Sequence, residues 1–188
     1  LAVPEDKKTQ VIWGIKDFVY RYGRHPEGMW LPETAVDLAT LDLLAKEEIK
    51  FSILAPHQAK AIRRLEGGDW LDTSGSRIDP RQPYICRLKS GRQIVLFFYD
   101  GPVSRAVAFE HLLDDSQHFK SRLCGLFDGN IDNQLAHIAT DGETYGHHHN
   151  RGDMALAAVL DDFEKHGDAT LTNYSAFLAN HPPVFEVQ

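Results

Sequence analysis

The sequence lacks several features by which common protein classes are recognised. Its 188 residues include only two cysteines, Cys86 and Cys124. Two are too few for a secreted disulfide framework, and neither belongs to a CxxC pair. No apolar run approaches the roughly 18 residues that cross a bilayer, and the N-terminus shows no signal-peptide pattern. We therefore expect reduced thiols, no membrane segment and a cytoplasmic location.

Basic residues are also in deficit. Lys and Arg number 20 against 27 Asp and Glu, which gives a formal net charge of −7 and disfavours a nucleic-acid or membrane-surface partner. The chain has no GxGxxG, no phosphate-binding GKS or GKT and no Gly-x-Ser-x-Gly elbow, so nucleotide-dependent chemistry and serine hydrolysis are excluded. Hydrophobic residues at 43% and charged residues at 25% are ordinary globular usage. The length suits a single folded domain over residues 1–188.

Short apolar runs alternate with amphipathic stretches along the chain. Helical spacing of apolar residues predicts helices over residues 7–22, 35–48, 56–65, 103–113, 117–127, 153–166 and 174–180. Apolar runs predict strands over residues 29–31, 49–55, 84–88, 93–99 and 135–140, with a last strand near Leu171. The strands predicted over 84–88 and 93–99 flank a glycine-containing turn, so we predict that they form a β-hairpin. This alternation predicts an α/β fold with parallel strands.

Carboxylates follow three of the predicted strands, at Glu33, Asp100 and Asp141. Ligands of parallel α/β proteins gather at the carboxyl ends of strands, so these residues predict an acidic pocket. Glycoside hydrolysis needs two such groups: one attacks the anomeric carbon, and the other protonates the leaving oxygen. Trp30 could offer its ring to a sugar face or could turn into the core.

Each carboxylate also has a purely structural interpretation. Glu33 follows a proline and could be a first-turn acid favoured by a helix dipole. Asp141 precedes a glycine and could belong to a simple turn, and the turn interpretation is the stronger one for Asp100. The residue pattern alone leaves these alternatives open.

Histidine is abundant, with ten residues, three of them consecutive at His147–His149. Consecutive histidines suit one metal ion poorly, because strand neighbours face opposite ways and helical ligand pairs sit at i and i+4. We favour a substrate contact, assigned to His147, although a metal site that uses Asp141, Glu143 or an imidazole stays open. His57, just after a predicted strand, is either a pocket residue or an ordinary histidine at a helix start.

Two stretches, Gly28–Thr34 and Ala139–Gly146, resemble the motifs of glycoside hydrolase family 57. That family groups α-amylases, amylopullulanases, 4-α-glucanotransferases and glycogen branching enzymes. The likeness runs from about Val11 to Glu186. It implies a TIM-like barrel of seven β/α units, an α-glucan or oligosaccharide substrate, and retention of the anomeric configuration.

The resemblance assigns roles residue by residue. The family's Trp-Leu-x-Glu motif places the nucleophile at Glu33, and its Asp-Gly-Glu-x-(Phe/Tyr)-Gly motif places the general acid/base at Asp141. Trp30, Glu143 and Tyr145 lie in the same two motifs and are expected to contact substrate. Asp100, His57 and His147 are added to the expected substrate site from their positions in the sequence, not from the resemblance. We expect no cofactor and assign no residue as a metal ligand, and whether the histidine-rich loop binds a metal is left open.

Other family motifs are missing from the sequence. The N-terminal His-x-His-x-x-Gln-Pro-type motif, the second motif and the fifth motif are not found, so the resemblance implies the middle of a catalytic domain, a partial barrel that lacks its N-terminal strands. We expect such a piece to have little activity alone. Two alternatives remain: a non-catalytic carbohydrate-binding piece, and a metal-dependent hydrolase or deacetylase that uses the histidine-rich loop. Linkage specificity, hydrolysis against transfer, and oligomeric state are left open.

Overall fold

The structure is a computed structural model that describes residues 3–188. The described chain forms two compact units. Unit 1 comprises the residues up to Ile78, residues 83–97 and residues 182–188, and unit 2 comprises residues 79–82 and 98–181. The single-domain organisation expected from the sequence stays a prediction.

Helices and short strands alternate along the chain. The helices are α1 (Pro4–Tyr22), α2 (Leu38–Lys46), α3 (Gly101–Phe109), α4 (Ser116–Cys124), α5 (Gly152–His166) and α6 (Tyr174–Asn180). The strands are β1 (Gly28–Met29), β2 (Phe51–Leu54), β3 (Ala61–Arg64), β4 (Leu71–Asp72), β5 (Tyr84–Arg87), β6 (Gln93–Phe98) and β7 (Phe185–Val187). Single 3₁₀ turns cover Pro32–Thr34, Pro56–Gln58, Leu112–Asp114 and Gly142–Thr144. Over residues 3–188 we find no helix with the length and apolar character of a membrane span.

The seven strands form one sheet in the order β1-β2-β6-β5-β7-β3-β4. The β1–β2 and β5–β7 pairs are parallel, whereas β5–β6, β3–β7 and β3–β4 are antiparallel. The sequence prediction of an α/β fold is confirmed. The strand order is open, with β1 and β4 at its two ends, which is consistent with an incomplete barrel. The predicted hairpin is confirmed as β5–β6.

Close packing of β1 against β2 organises the core of unit 1. Gly28 pairs with Phe51, and a Cβ on Gly28 would lie 2.2 Å from the Phe51 ring. The Phe51 ring meets Phe97 edge to face at 5.6 Å, a favourable arrangement for two aromatic quadrupoles. Phe97 and Leu44 of α2 are fully buried. Position 28 therefore requires glycine, because the Phe51 ring occupies the space that a Cβ would need.

The core of unit 2 forms between α3, α4, α5 and the Leu112–Asp114 turn. Its most deeply buried members are Ala106, Val107, Phe119 and Val159. An ion-pair cluster closes the edge of this core, where the ammonium of Lys120 on α4 contacts Asp162 of α5 and Asp168.

Three predicted elements are wrong. Leu171 lies in no strand, and the last strand of the described chain is β7. The helix predicted over 56–65 is instead the Pro56–Gln58 turn followed by β3, because Ala61–Arg64 pairs with β7 from the far end of the sequence. The strand predicted over 135–140 is an extended segment without ladder pairing. The helix predicted over 35–48 begins later, where the Asp37 carboxylate accepts the Thr40 N–H at 2.7 Å. Asp37 is thus the N-cap of α2.

Candidate active site

Glu33 lies in a tight 3₁₀ turn, the Glu33 turn (Pro32–Thr34), shortly after β1. Glu33 and Thr34 both adopt left-handed backbone conformations, with φ of 56° and 50°. Each such residue other than glycine costs of order 1–3 kcal/mol and persists only where its surroundings hold it. Leu31 and Thr34 are buried on either side, whereas Glu33 is exposed. The buried side chains of Leu31 and Thr34 therefore hold the turn in place, and the Glu33 carboxylate faces solvent.

Gln58 braces the Glu33 turn. Its side-chain amide donates to the Thr34 carbonyl at 2.8 Å, and its side-chain oxygen accepts the Ala55 N–H, also at 2.8 Å. Ala55 directly follows β2, which runs parallel to β1. One side chain thus ties the Glu33 turn to the carboxyl end of the neighbouring strand.

Two further predicted residues lie on the segments that Gln58 joins. Trp30 directly precedes Leu31 and the Glu33 turn and is 47% exposed, so the alternative of a core tryptophan is wrong. His57 precedes Gln58, is exposed, and lies in the short Pro56–Gln58 3₁₀ turn rather than at the start of an α-helix. The structure therefore brings Glu33, Trp30 and His57 to one pair of strand ends in unit 1.

Asp141 begins a compact turn in unit 2. Its backbone carbonyl accepts the Thr144 N–H at 3.1 Å, but its carboxylate makes no capping hydrogen bond to the turn and is exposed. The Glu143 carbonyl accepts the N–H groups of His147 and His148 at 3.1 and 3.0 Å, while the Glu143 side chain is exposed. The backbone alone thus maintains the turn and leaves both carboxylates available.

Tyr145 lies in the same loop but is half-buried. Its hydroxyl shares a hydrogen bond of 2.9 Å with the Thr140 hydroxyl, directly before Asp141. Its ring packs on the core of unit 2. The side chain therefore fixes the entry to the turn, and its contact with substrate stays a prediction.

The extended segment before Asp141 is anchored by a buried histidine. His137 Nε2 lies 2.8 Å from the Pro80 carbonyl, and Nδ1 lies 2.9 Å from the Tyr174 hydroxyl. A carbonyl only accepts, so Nε2 carries the proton and Tyr174 donates to Nδ1. Burial lowers the pKa of His137 and raises the pKa of Tyr174 to about 12, so both groups are neutral at pH 7.

Asp100 has a structural role. Its carboxylate accepts the Val103 N–H at 2.7 Å as the N-cap of α3, and its own N–H donates to the His137 carbonyl at 3.0 Å. Ser104 Oγ, one turn later, accepts the Ala139 N–H at 3.0 Å. The start of α3 thus holds the segment that leads to Asp141. A contact of Asp100 with substrate stays a prediction.

The three consecutive histidines have different environments. His147 and His148 are exposed, with their ring centroids 4.9 Å apart, whereas His149 is half-buried and Nε2 lies 3.0 Å from the Ala108 carbonyl. In the described part of the chain, one group of side chains is close enough to share a metal ion: His111, Asp114 and His149. The prediction for His147 as a substrate contact remains untested.

The sequence pattern does not indicate three residues that support the site: Gln58, His137 and Tyr174. No motif marks Gln58, because its role depends on where two strands end. The alternation of Leu135 and His137 in an apolar run was the one available signal of a buried histidine.

The two motif turns lie within a match to a known protein family. The model of glycosyl hydrolase family 57 matches residues 2–187, and so includes both the Glu33 turn and the Asp141 turn. The chain belongs to glycosyl hydrolase family 57. The family resemblance read from the two motifs is thereby confirmed. A comparison with curated proteins gives no match.

Solved structures share the fold of this family 57 chain. A 4-α-glucanotransferase from Thermococcus litoralis has a TM-score of 0.72 at 19% identity over 96% of this chain and 26% of its own. The novel α-amylase AmyC from Thermotoga maritima has a TM-score of 0.69 at 15% identity over 96% and 46%. A Mycobacterium smegmatis protein, provisionally assigned as a polysaccharide deacetylase, has a TM-score of 0.62 at 14% identity over 96% and 57%.

These likenesses extend over only part of each neighbour. The family 57 chain spans about a quarter of the glucanotransferase and under half of the amylase. Because neighbours with different assigned chemistries share the fold, the fold does not decide the reaction. The reaction therefore has to be inferred from the residues of the two motif turns and not from the fold.

Proposed function

We propose that this chain carries the catalytic carboxylates of a retaining α-glucan hydrolase or transglycosylase. Glu33 acts as the nucleophile and Asp141 as the general acid/base. The observation that carries the proposal is the Glu33 turn, where two strained residues and the Gln58 brace serve to present one exposed carboxylate within a family motif. Strain held in place by its surroundings is typical of functional sites.

The reaction has two steps. The Glu33 carboxylate attacks the anomeric carbon while the Asp141 carboxylic acid protonates the departing glycosidic oxygen, which leaves a glycosyl ester on Glu33. Asp141, now ionised, takes a proton from water or from an acceptor sugar hydroxyl, whose oxygen displaces Glu33. Water gives hydrolysis, and a sugar hydroxyl gives transfer.

The remaining predicted residues contact substrate in this proposal. Trp30 offers an exposed ring for stacking on a sugar face. His57, Glu143 and His147 offer exposed polar groups to sugar hydroxyls. Asp100 and Tyr145 also belong to this set, although the structure already gives both of them structural hydrogen bonds.

We further propose that the 188 residues alone turn over substrate poorly, because they span a small share of their enzymatic neighbours. An open cleft neither excludes water nor fixes the sugar. We also propose a cytoplasmic location, on the grounds of two unpaired cysteines.

The test is made in the full-length protein with maltooligosaccharides. Asp141→Asn should lower kcat by about 10²–10⁴-fold, the range for a positioned general acid, and Glu33→Gln should abolish the first step. Glu164→Gln and Asp69→Asn, at exposed positions outside both turns in the sequence, serve as matched controls and should keep full activity. Unchanged activity in both site variants would refute the assignment.

Two further measurements separate the alternatives. Calorimetry with maltoheptaose that shows binding, in a full-length protein that forms no product, would favour a carbohydrate-binding piece. Release of acetate from an acetylated oligosaccharide would favour a deacetylase. The proposal expects sugar products and no acetate.

A further inference from the structure

Three side chains in unit 2 form a cluster that the proposed carboxylate chemistry does not use. His111 and Asp114 lie in the segment after α3, and His149 lies in the histidine-rich loop (residues 142–151). Each offers one ligand atom, and the three atoms lie within 4.8 Å of one another. Two distant stretches of sequence thus converge on one point.

His149 has the geometry of a prepared metal ligand. Nε2 lies 3.0 Å from the Ala108 carbonyl, which can only accept, so Nε2 carries the proton. The Nδ1 lone pair is then left for a cation. Histidine ligands of metal ions commonly donate their other ring N–H to a backbone carbonyl in this way, which fixes both the tautomer and the ring orientation.

His111 and Asp114 complete the cluster from a single tight turn. The Asp114 N–H donates to the His111 carbonyl at 3.0 Å, and His111 Nδ1 lies 3.7 Å from Asp114 Oδ2. His111 adopts a left-handed backbone with φ of 56° directly after the C-cap of α3, a conformation in which helices commonly end. Its ring stands perpendicular to that of His149, with centroids 5.7 Å apart.

The backbones that carry these ligands are well fixed. Leu112 and Leu113, between His111 and Asp114, are buried in the core of unit 2. Gly152, just after the loop, sits so close that a Cβ would lie 2.9 Å from the Leu113 side chain and 3.3 Å from the Thr144 carbonyl. The exposed side chains of His111 and Asp114 need only rotate to reach the roughly 3–4 Å ligand spacing of a zinc ion.

We propose that His111, Asp114 and His149 bind one divalent transition-metal ion of the zinc class. Two imidazoles and one carboxylate are a ligand set that zinc accepts, with water in the fourth position. Mg²⁺ and Ca²⁺ prefer all-oxygen ligands and are not expected to compete.

The ion joins the histidine-rich loop to the segment after α3. The backbone N–H of His149 donates to the Thr144 carbonyl, and the backbone N–H of Thr144 donates to the Asp141 carbonyl. Fixing His149 therefore also orders the turn that begins at Asp141. The site is distinct from the carboxylates and stands or falls independently of the proposed glycosidase activity.

The test is a calorimetric titration of tag-free, chelator-treated protein with zinc chloride. Wild type should bind one equivalent, and His111→Ala, His149→Ala and Asp114→Asn should each weaken binding by at least tenfold. His147→Ala and His148→Ala are matched controls from the same loop and should bind within about twofold of wild type, since neither belongs to the cluster. Millimolar Mg²⁺ should not displace the zinc.

Hydrogen exchange gives an independent readout. Zinc should slow exchange of the backbone amides of residues 144–149 in wild type and not in His111→Ala. His111 is exposed, so this variant keeps its fold even where a His149 variant loses stability. Absence of saturable zinc binding, or equal losses in His147→Ala and His111→Ala, would overturn the proposal.

Discussion

Gln58 is the residue on which the position of Glu33 depends. Gln58→Leu keeps the volume but leaves the Thr34 carbonyl and the Ala55 N–H without this partner. Each unsatisfied group costs about 1–3 kcal/mol. We expect a lower free energy of unfolding in urea and a fall in kcat in the full-length protein.

The control for Gln58 is Gln10→Leu, an identical exchange on the exposed surface of α1. It should change neither quantity. Full activity in Gln58→Leu would show that the Glu33 turn keeps its shape without the brace.

His137 gives the protein a definite pH dependence. Burial lowers its pKa in the folded state, so the unfolded chain binds more protons once the pH falls below about 6.5, the ordinary histidine value. The stability associated with neutral His137 is therefore complete above that pH and is lost as the pH falls toward the lower folded pKa. We expect the free energy of unfolding to decrease from pH 7.5 to 5.5.

His137→Gln isolates this contribution. Its amide can still donate to the Pro80 carbonyl but does not titrate. Urea unfolding at several pH values should show a shallower slope in the variant than in wild type. Equal slopes would mean that other groups control the pH dependence.

At the residue scale, the sequence indicates the proposed catalytic carboxylates and not the residues that support them. Glu33 and Asp141 are proposed because they lie in short motifs that a family shares. Gln58 and His137 act through contacts with residues that are distant in sequence, at Thr34 and Pro80, and no local pattern encodes those contacts.

Among the elements, the β1–β2 pair is the most sensitive to side-chain volume. Gly28→Ala would place a methyl group 2.2 Å from the Phe51 ring, which is itself held against Phe97. Overpacking of this kind costs about 1–3 kcal/mol. We expect a clear fall in the midpoint of thermal unfolding, followed by circular dichroism.

Gly129→Ala is the matched control for Gly28→Ala. A Cβ on Gly129 meets nothing within 4 Å, so its thermal midpoint should stay close to that of wild type or rise slightly. A Gly28→Ala protein as stable as this control would contradict the packing described for β1.

Local pattern predicted the elements whose partners are near in sequence. The β5–β6 hairpin and the helices α1, α5 and α6 follow from periodicity and turn residues. The strand β3, after Pro56, does not follow from local pattern. It pairs with β7 from the far end of the sequence, and its Arg63 forms an ion pair with the buried Glu186. Tertiary pairing there overrides the helical spacing.

For the molecule as a whole, fold and function are decided by different observations. Structures assigned as a glucanotransferase, an amylase and a deacetylase share this fold at 14–19% identity, so the fold alone leaves the reaction open. The family match over residues 2–187 supports the proposal of glycoside chemistry. In our proposal, Glu33 in unit 1 and Asp141 in unit 2 supply the carboxylates for that chemistry.

The central claim is that Glu33 is the nucleophile and Asp141 the general acid/base. Azide rescue of Glu33→Ala and Asp141→Ala in the full-length protein, with an activated α-maltosyl substrate, tests both roles through the configuration of the glycosyl azide found by NMR. Without its nucleophile, Glu33→Ala should give the inverted β-azide by a single displacement, whereas Asp141→Ala should give the retained α-azide from the glycosyl-enzyme. The opposite pattern, or wild-type turnover in either variant without azide, would contradict the account.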